Sequence, residues 1–370
     1  MGVRRNCKNL FFALEREDQN GRPAAPVVVF HSRPPTLPLP MRVASLLPAA
    51  TEWVAAFGAA DQLVARSHEC DFPPGLGDVP VVTEATYAEA AYAEADGDSA
   101  SRSRAIDEAV RGSLQEGLSL YDVDLERLRA LRPDLVLTQA QCEVCAVSLG
   151  QLEEALADEQ MSESASPRLL SLSPTTLKDA FDAGLKVGRA LGQFQTAMSV
   201  IADGENRLRA LREMLGLDEQ TDETARPTVA CIEWIDPLMT AGHWTPDLVR
   251  HAGGRAVLSE TGARSRRVEW SALREADPDV LAVMPCGFDL ENTAAELSGL
   301  TERPGWGDLR AVGNGRVVLF DGNAYFNRPG PRLYRSAELL AAALHPERAR
   351  SFAAPEPDEM RALQAAPHAP

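Results

Sequence analysis

Lysine is almost missing from this sequence. The 370 residues contain lysine only at Lys8, Lys178 and Lys186, and 37 Lys and Arg residues stand against 54 Asp and Glu residues, so that the formal net charge is −17. Nucleic acids and anionic membrane surfaces are bound through clustered positive charge. The charge balance therefore argues against both of them as partners.

Long apolar runs are lacking as well. No stretch approaches the roughly 18 to 20 apolar residues that cross a bilayer, so we expect no transmembrane segment. Near the N-terminus, LFFAL is shorter than the apolar core of a secretory signal, about 7 to 15 residues, and EREDQ follows it directly. The sequence thus predicts no signal peptide and, on this ground alone, a cytoplasmic location. Residues 1–40 are predicted to be a disordered extension without a role in function.

Cysteine is scarce, and several catalytic motifs are absent. Six cysteines are too few for a disulfide framework, and we expect their thiols to be free or metal-bound. Cys231 falls inside an apolar strand pattern and is expected to lie in the core. The sequence contains no Gly-x-Ser-x-Gly and no glycine-rich phosphate loop, and zinc-protease spacing is missing too. These absences argue against a catalytic triad of the Gly-x-Ser-x-Gly type, a phosphate-loop nucleotide site and a zinc protease, and the non-catalytic interpretation depends on the resemblance described below.

Two similar units are the clearest pattern that is present. YDVDLERLRALRPDLVLTQAQC begins at Tyr121 and VEWSALREADPDVLAVMPCG begins at Val268. Each gives a helix pattern, a Pro-Asp turn, an apolar strand and a cysteine. Apolar strands that alternate with helices are typical of parallel sheets. One unit in each half predicts an α/β fold of two Rossmann-like lobes.

A helical segment separates the two halves. Ser173 is its predicted N-cap, Gly192 is expected to break it, and the second piece would be about 30 Å long, enough to join the lobes as a stiff spine. The predicted boundaries are an extension at 1–40, an N-terminal lobe at 41–172, linker helices at 173–217, a C-terminal lobe at 218–346 and a loose tail at 347–370.

Unusual polar residues follow the predicted strands. His68, Glu69 and Cys70 come after QLVAR, and His68 and Cys70 would share one side of an extended segment. Ligands in open α/β sheets bind outside the carboxyl ends of the strands, so we expect these residues to meet in one cleft. The other residues placed in this way are Gln139, Cys142, Cys145, His243, Trp244, Cys286, Tyr325, Asn327 and Arg328.

The cysteines allow a metal site. Cys142-x-x-Cys145 follows a strand and begins a helix pattern, where the helix N-terminus favours the thiolate. Cys70, Cys142, Cys145 and Cys286, with His68 or His243, would suit zinc or iron. Cys286 could equally be a small buried apolar residue. One hypothesis is therefore a cytosolic metal-binding protein or enzyme acting on a metallocofactor or small molecule in the cleft.

Several stretches resemble a known family. RVASLLPAATEWVAAFGAADQLVARSHECDFP, DPDVLAVMPCGFD, GHWTPDL and GRVVLFDGNAYFNRPGPR are similar to the substrate-binding proteins of cobalamin and iron-siderophore ABC importers, in particular to a subgroup labelled cobalamin-binding protein. The resemblance covers about 41–345. It implies two lobes joined by a rigid backbone helix, with the ligand between them, and a monomer that binds a corrinoid or iron chelate and meets an ABC permease outside the cytoplasm.

The resemblance also implies roles for particular residues. The loop LLPAATE, with Pro48, Ala49, Thr51 and Glu52, would line the N-terminal side of the cleft. Trp234 and Trp244 would offer flat apolar surfaces to a macrocycle. Together with His68, Glu69, Gln139, His243, Tyr325, Asn327 and Arg328, these are the expected ligand-binding residues. The receptor is the favoured hypothesis and the cysteine-ligated metal protein is the alternative.

Overall fold

The structure is a computed structural model that describes residues 40–86, 102–115, 120–139, 152, 166–217, 222–349 and 354–363. Met41–Pro370 forms one compact unit. Residues 1–39 of the predicted extension, Cys142 and Cys145 lie outside the described residues.

The first lobe contains a parallel sheet. Its elements are β1 (Val43–Ser45), α1 (Pro48–Ala56), β2 (Leu63–Arg66), β3 (Thr83–Ala85), α2 (Arg102–Gln115), β4 (Tyr121–Val123), α3 (Leu125–Ala130), β5 (Leu135–Gln139) and β6 (Arg168–Leu172). The sheet has the order β2-β1-β5-β6, and all of its neighbours run parallel. β3 and β4 form a separate antiparallel pair. The first predicted unit is confirmed, because α3 and β5 fall where the pattern places them.

Two helices follow this sheet, α4 (Leu177–Ala190) and α5 (Phe194–Leu215). α4 starts later than predicted, with Thr176 rather than Ser173 as its N-cap. Thr176 Oγ1 accepts from the backbone N–H of Asp179, whose carboxylate accepts in return from the N–H of Thr176, which makes a capping box. The predicted break is confirmed at Gly192, which takes a positive φ of 71° between the two helices. The 22 residues of α5 span about 33 Å.

The second lobe mixes parallel and antiparallel strands. Its elements are β7 (Thr228–Trp234), β8 (Met239–Thr240), α6 (Thr245–His251), β9 (Arg255–Ala256), β10 (Arg266–Arg267), α7 (Trp270–Ala276), β11 (Val280–Val283), α8 (Leu290–Ala295), α9 (Ser298–Thr301), α10 (Arg310–Gly313), β12 (Val317–Phe320), α11 (Gly322–Tyr325), α12 (Leu333–Leu344), α13 (Pro346–Ala349) and β13 (Met360–Ala362). Short 3₁₀ turns lie at Ala60–Gln62, Leu76–Asp78, Glu223–Ala225 and Trp306–Asp308.

The sheet of this lobe has the order β10-β8-β7-β11-β12-β13, and β9 also pairs with β7. β7, β11, β12 and β9 run parallel, as predicted, whereas β8, β10 and β13 add antiparallel edges. β13 comes from the tail that composition predicts to be loose. It pairs with β12, and Arg335 holds Glu359, the residue before β13, in an ion pair.

The two lobes share one apolar core. Trp53 of α1 is fully buried and stacks on Phe57, and Phe181 of α4 stacks on Tyr334 of α12 with 4.7 Å between ring centroids. All four side chains belong to one cluster of buried residues, which also takes in Ile201 of α5. The linker helices therefore pack against both lobes and fix the distance between the two sheets.

Candidate functional site

A cavity of about 720 Å³ lies where strands of both sheets end. Residues just past β1, β2, β11 and β12 line it, as do Glu233 near the end of β7 and Gln139 at the end of β5. This is the arrangement expected for ligand binding in α/β sheets. The predicted ligand-binding residues that line the cavity are Pro48, Ala49, His68, Glu69, Gln139, His243, Trp244, Asn327 and Arg328.

The first-lobe wall is ordered by hydrogen bonds around His68. Ser67 continues from β2 and donates its N–H to Ser45 O of the neighbouring strand. Thr83 Oγ1, at the start of β3, accepts from the backbone N–H of His68 at 3.0 Å and lies 2.7 Å from His68 Nδ1. The hydroxyl of Tyr121 donates to Glu69 Oε1 at 3.0 Å. The β1–β2 pair and the β3–β4 pair therefore both hold the segment whose residues His68 and Glu69 line the cavity.

The second-lobe wall is built on a tight turn before α6. His243 has a positive φ of 51°, and its N–H donates to Ala263 O at 2.6 Å. Gly242 is required here, because a Cβ at this position would lie 2.3 Å from the same carbonyl oxygen. Burial and the nearby Arg264 lower the pKa of His243. The imidazole of His243 is therefore held mainly neutral at pH 7.

Trp244 lines the cavity from a buried position. Its indole Nε1 donates to Phe326 O at 2.8 Å, and its ring stacks on that of His243 with 5.6 Å between centroids. Because the hydrogen bond fixes the indole, Trp244 offers a rigid apolar edge to the cavity rather than a mobile flap.

Glu233 and Ser265 are cavity residues that the sequence analysis does not pick out. Ser265 Oγ donates to Glu233 Oε2 at 2.6 Å and accepts from the N–H of Gly242 at 3.1 Å. Glu233 interrupts the apolar strand TVACIEW one residue before Trp234. A charged residue at the end of a buried strand is the feature of the sequence that could have indicated a site residue here. Asp71 and Arg264 also line the cavity.

Arg328 joins the two lobes beside the cavity. Its guanidinium donates to both carboxylate oxygens of Asp71, to Glu69 O at 3.2 Å and to Asn323 Oδ1 at 2.9 Å. Only 7% of its side chain is exposed. Since Asp71 and Glu69 belong to the first lobe and Asn323 to the second, this arginine links the two lobes at the cavity wall.

Four predicted ligand-binding residues do not line the cavity. Thr51 is buried and contacts Cys70, and Glu52 is buried against Arg332 and Arg328. Trp234 points its indole N–H at Ser103 O and Asp236 O, both at 3.1 Å, and packs on Phe288. Tyr325 lies under Arg332, and burial together with Glu359 raises its pKa to about 12. The resemblance places Thr51, Glu52 and Trp234 at the ligand, and the strand-end pattern places Tyr325 there. The contacts of all four are instead internal to the protein.

Cys70 also departs from its expected position. The chain turns at His68 and Glu69, with Cys70 N–H donating to Ser67 O at 3.1 Å, so the alternation of an extended strand does not apply. Cys70 is 1% exposed, its thiol lies 3.0 Å from Thr51 Oγ1, and burial raises its pKa to about 11. His68 faces the cavity and Cys70 faces the core.

The remaining cysteines separate in the same way. Cys286 is exposed and lines the cavity, and Cys231 is fully buried in β7, as predicted. Within the described part of the chain, His, Cys, Asp and Glu side chains form no group of three or more able to hold a metal ion. The predicted Cys142 and Cys145 ligands lie outside that part.

Residues 43–324 match the sequence profile of the periplasmic binding proteins. The chain belongs to the periplasmic binding protein family. Members of this family bind ligands and do not catalyse reactions, in line with the sequence prediction. None of the curated proteins compared with the chain matches its sequence.

Solved structures share the fold at low sequence identity. A periplasmic haem-binding protein from Pseudomonas aeruginosa has a TM-score of 0.59 and 21% identity over 84% of this chain and 94% of its own. The vitamin B12-binding protein BtuF of Vibrio cholerae has a TM-score of 0.57 and 19% identity over 82% and 96%. The molybdate-binding protein MolA of Haemophilus influenzae has a TM-score of 0.58 and 16% identity over 84% and 88%. The two-lobe α/β fold predicted from the sequence is confirmed.

In the described ranges, every helix is too short or too polar to pass through a bilayer.

Proposed function

We propose that this chain is the substrate-binding protein of an ABC-type importer and that its ligand is a corrinoid. The observation that carries the proposal is the cavity itself. It lies at the strand ends of both sheets, has a volume of about 720 Å³ and is lined by residues of both lobes. Cavities of about 300 to 1,000 Å³ are typical of small-molecule sites. By analogy with its family, the protein would work outside the cytoplasm.

The charges of the lining favour a corrinoid over an anionic ligand. Glu69, Asp71 and Glu233 line the cavity together with Arg264 and Arg328, and Arg328 is already paired with Asp71. A ligand with carboxylates or an oxyanion, such as haem or molybdate, would meet an excess of negative charge. A corrinoid carries neutral side amides, whose N–H groups can donate hydrogen bonds to the carboxylates, since each carboxylate has about four acceptor positions.

The apolar part of the lining suits a flat ring. Leu46, Leu47 and Pro48 line the first-lobe wall, and Trp244 and Phe326 line the second. Both side chains are buried. The indole of Trp244 donates to the backbone Phe326 O and the ring of Phe326 packs against Phe320, so they need no ordering when the ligand binds. Binding to such a preformed site loses less conformational entropy.

The test is a titration of the purified chain with cyanocobalamin, dicyanocobinamide, haemin and molybdate. We expect a corrinoid to bind with a Kd of about 1 µM or lower and haemin and molybdate to bind more weakly. Glu233→Gln should weaken corrinoid binding by about tenfold, since one charge-assisted hydrogen bond is worth about 1.5 kcal/mol. Glu275→Gln, on the exposed side of α7, is the matched control and should bind as the wild type does. Tighter binding of haemin or molybdate than of any corrinoid would refute the ligand class.

A further inference from the structure

His68 lines the cavity, and hydrogen bonds fix the loop that carries it. The loop that carries it is held on both sides. Arg66 donates to Ser67 O at 3.3 Å and to Cys70 O at 3.0 Å, and Cys70 N–H donates to Ser67 O. The backbone at His68 is thus fixed before any ligand arrives.

The hydrogen bonds of Thr83 fit one tautomer of His68. A threonine hydroxyl has a single hydrogen, which can turn toward Ser67 Oγ at 3.0 Å or toward His68 Nδ1 at 2.7 Å. When it is donated to Ser67 Oγ, Thr83 Oγ1 accepts from His68 Nδ1–H. Nδ1 then carries the proton, and Nε2 carries the lone pair.

The ring is also oriented. Tyr121 packs against the imidazole of His68 with 5.6 Å between ring centroids and an angle of 36°. Nε2 has no hydrogen-bond partner among the described residues, while the side chain lines the cavity. An imidazole whose Nδ1–H is held by an oxygen and whose Nε2 points to a ligand is the arrangement seen for histidines that bind metals, because the outer hydrogen bond fixes both tautomer and direction.

We infer that His68 binds the central metal of the ligand through Nε2, so that the protein selects chelates with an exchangeable axial position. The inference rests on the proposed function and narrows it. In the binding step a bond forms between Nε2 and the metal, the bond between the metal and an axial water breaks, and the water leaves. The metal keeps its oxidation state, and no proton is transferred.

Selectivity follows from this step. A corrinoid whose axial positions are held by cyanide cannot gain the bond, whereas one that carries water can. Both share the same ring and the same side amides, but the diaqua form carries two more positive charges than the dicyano form, which the acidic side chains of the lining also favour. The part of the affinity difference that is lost in His68→Phe therefore isolates the contribution of the metal bond.

The experiment compares diaquacobinamide with dicyanocobinamide. We expect the wild type to bind the diaqua form at least about tenfold more tightly and to shift its visible absorption bands, because nitrogen replaces water on cobalt. His68→Phe should reduce this preference by about tenfold or more and leave the bands unshifted. His243→Phe removes the other imidazole that lines the cavity, and it should keep the shift whatever it does to the overall affinity. Loss of the shift in His243→Phe instead of His68→Phe would overturn the assignment.

A second measurement needs no variant. Cob(II)inamide, prepared beforehand, is bound by wild-type protein and its electron paramagnetic resonance spectrum is recorded. A nitrogen on the axial position splits the cobalt lines into triplets, and protein grown with ¹⁵N-histidine should turn them into doublets. Unsplit lines, or splitting that ¹⁵N-histidine leaves unchanged, would exclude histidine coordination even if His68→Phe fails to fold.

Thr83→Val tests the positioning role of the threonine. Valine keeps the shape of the side chain and removes the acceptor for Nδ1–H. Affinity for diaquacobinamide should fall several-fold while affinity for dicyanocobinamide stays the same, and a purely structural role would lower both equally.

The outcomes distinguish the role of His68 from the proposed function. Binding of both cobinamides without a spectral shift, with a preference that His68→Phe leaves unchanged, removes the role of His68 and leaves the proposed function standing. Binding of no corrinoid, cyanocobalamin included, removes both.

Discussion

Glu52 and Arg332 are 280 residues apart in the chain and share two hydrogen bonds, from Nε to Oε2 at 3.0 Å and from Nη2 to Oε1 at 2.6 Å. The carboxylate is 1% exposed, and Arg328 Nη1 lies 3.5 Å from the same Oε1. Glu52 belongs to α1 of the first lobe, and both arginines precede or open α12 of the second. A buried acid between two arginines thus ties the lobes together beside the cavity.

Removal of this acid should destabilise the protein strongly. In Glu52→Ala, Arg328 loses one of its two acidic partners and Arg332 loses its bidentate partner in a buried site. Breaking a buried pair from one side costs about 3 to 5 kcal/mol of unfolding free energy, which urea denaturation would measure. Asp182→Ala removes an acid from the exposed Lys178–Asp182 pair and should leave the urea midpoint nearly unchanged. Equal effects of the two variants would contradict a role of Glu52 in holding the lobes.

Gly204 of α5 should be intolerant of any side chain. A Cβ at this position would lie 1.9 Å from Cζ of Tyr334 in α12, so Gly204→Ala forces the two helices apart. Overpacking of this kind costs about 1 to 3 kcal/mol, measured by thermal or urea unfolding. With Tyr334→Leu in the background, Gly204→Ala should cost less, by about 1 kcal/mol or more of coupling free energy.

Gly112→Ala in α2 is the matched control for Gly204→Ala. A Cβ at Gly112 meets nothing within 4 Å, so the change should be neutral or stabilising by up to about 1 kcal/mol through helix propensity. Equal changes in unfolding free energy for Gly204→Ala and Gly112→Ala would contradict the close packing of α5 on α12.

The sequence predicts the fold well because the fold depends on local patterns. The two helix–turn–strand units, the parallel strands and the break at Gly192 follow from the spacing of apolar residues and from turn residues. The β13 strand could not be predicted, because three residues in a tail rich in proline and alanine carry too weak a pattern. It forms only because β12 offers an open edge and Arg335 holds Glu359.

The candidate site is predicted less completely. Strand-end positions find His68, His243 and Trp244, since the topology brings the ends of several strands from both sheets to one cavity. The direction in which a side chain points in a turn does not follow from its position after a strand. Cys70 faces the core and Trp234 faces Ser103 and Asp236, and both orientations depend on residues distant in sequence. The predicted family is confirmed at the level of periplasmic binding proteins, whereas the corrinoid stays a prediction.

The described cysteines should differ sharply in reactivity. Cys286 is exposed, whereas Cys70 and Cys231 are buried, and burial raises their pKa values to about 11 and about 12. Because the thiolate is the reactive form, iodoacetamide at pH 7.5 should modify Cys286 and leave the other two intact. Peptide mass spectrometry over a time course measures the three rates, and in urea all three should react. Alkylation of Cys70 in the native protein as fast as that of Cys286 would contradict its position in the core.

His251 should make the protein sensitive to acid. It ends α6 with a buried Nδ1 that has no hydrogen-bond partner among the described residues. Burial lowers the pKa of His251 to about 4 from the usual 6.5. The charges of Arg212 and Arg250 lower it as well, whereas the charge of Asp247 raises it. Between these two values the unfolded chain binds a proton and the folded chain does not, so the unfolding free energy falls as the pH falls. The stability that His251 contributes is complete above about pH 6.5 and is lost toward pH 4.

The measurement is urea denaturation at pH 7 and pH 4.5 for the wild type and His251→Leu. The wild type should lose about 2 kcal/mol more than the variant between these pH values, since one pKa unit corresponds to about 1.4 kcal/mol. Arg212→Gln removes one of the two charges that disfavour the imidazolium, so it should raise the pKa of His251 and reduce the acid loss in part. Parallel pH profiles for the wild type and His251→Leu would mean that His251 binds its proton as readily in the folded chain as in the unfolded chain. That result would contradict its burial against α5.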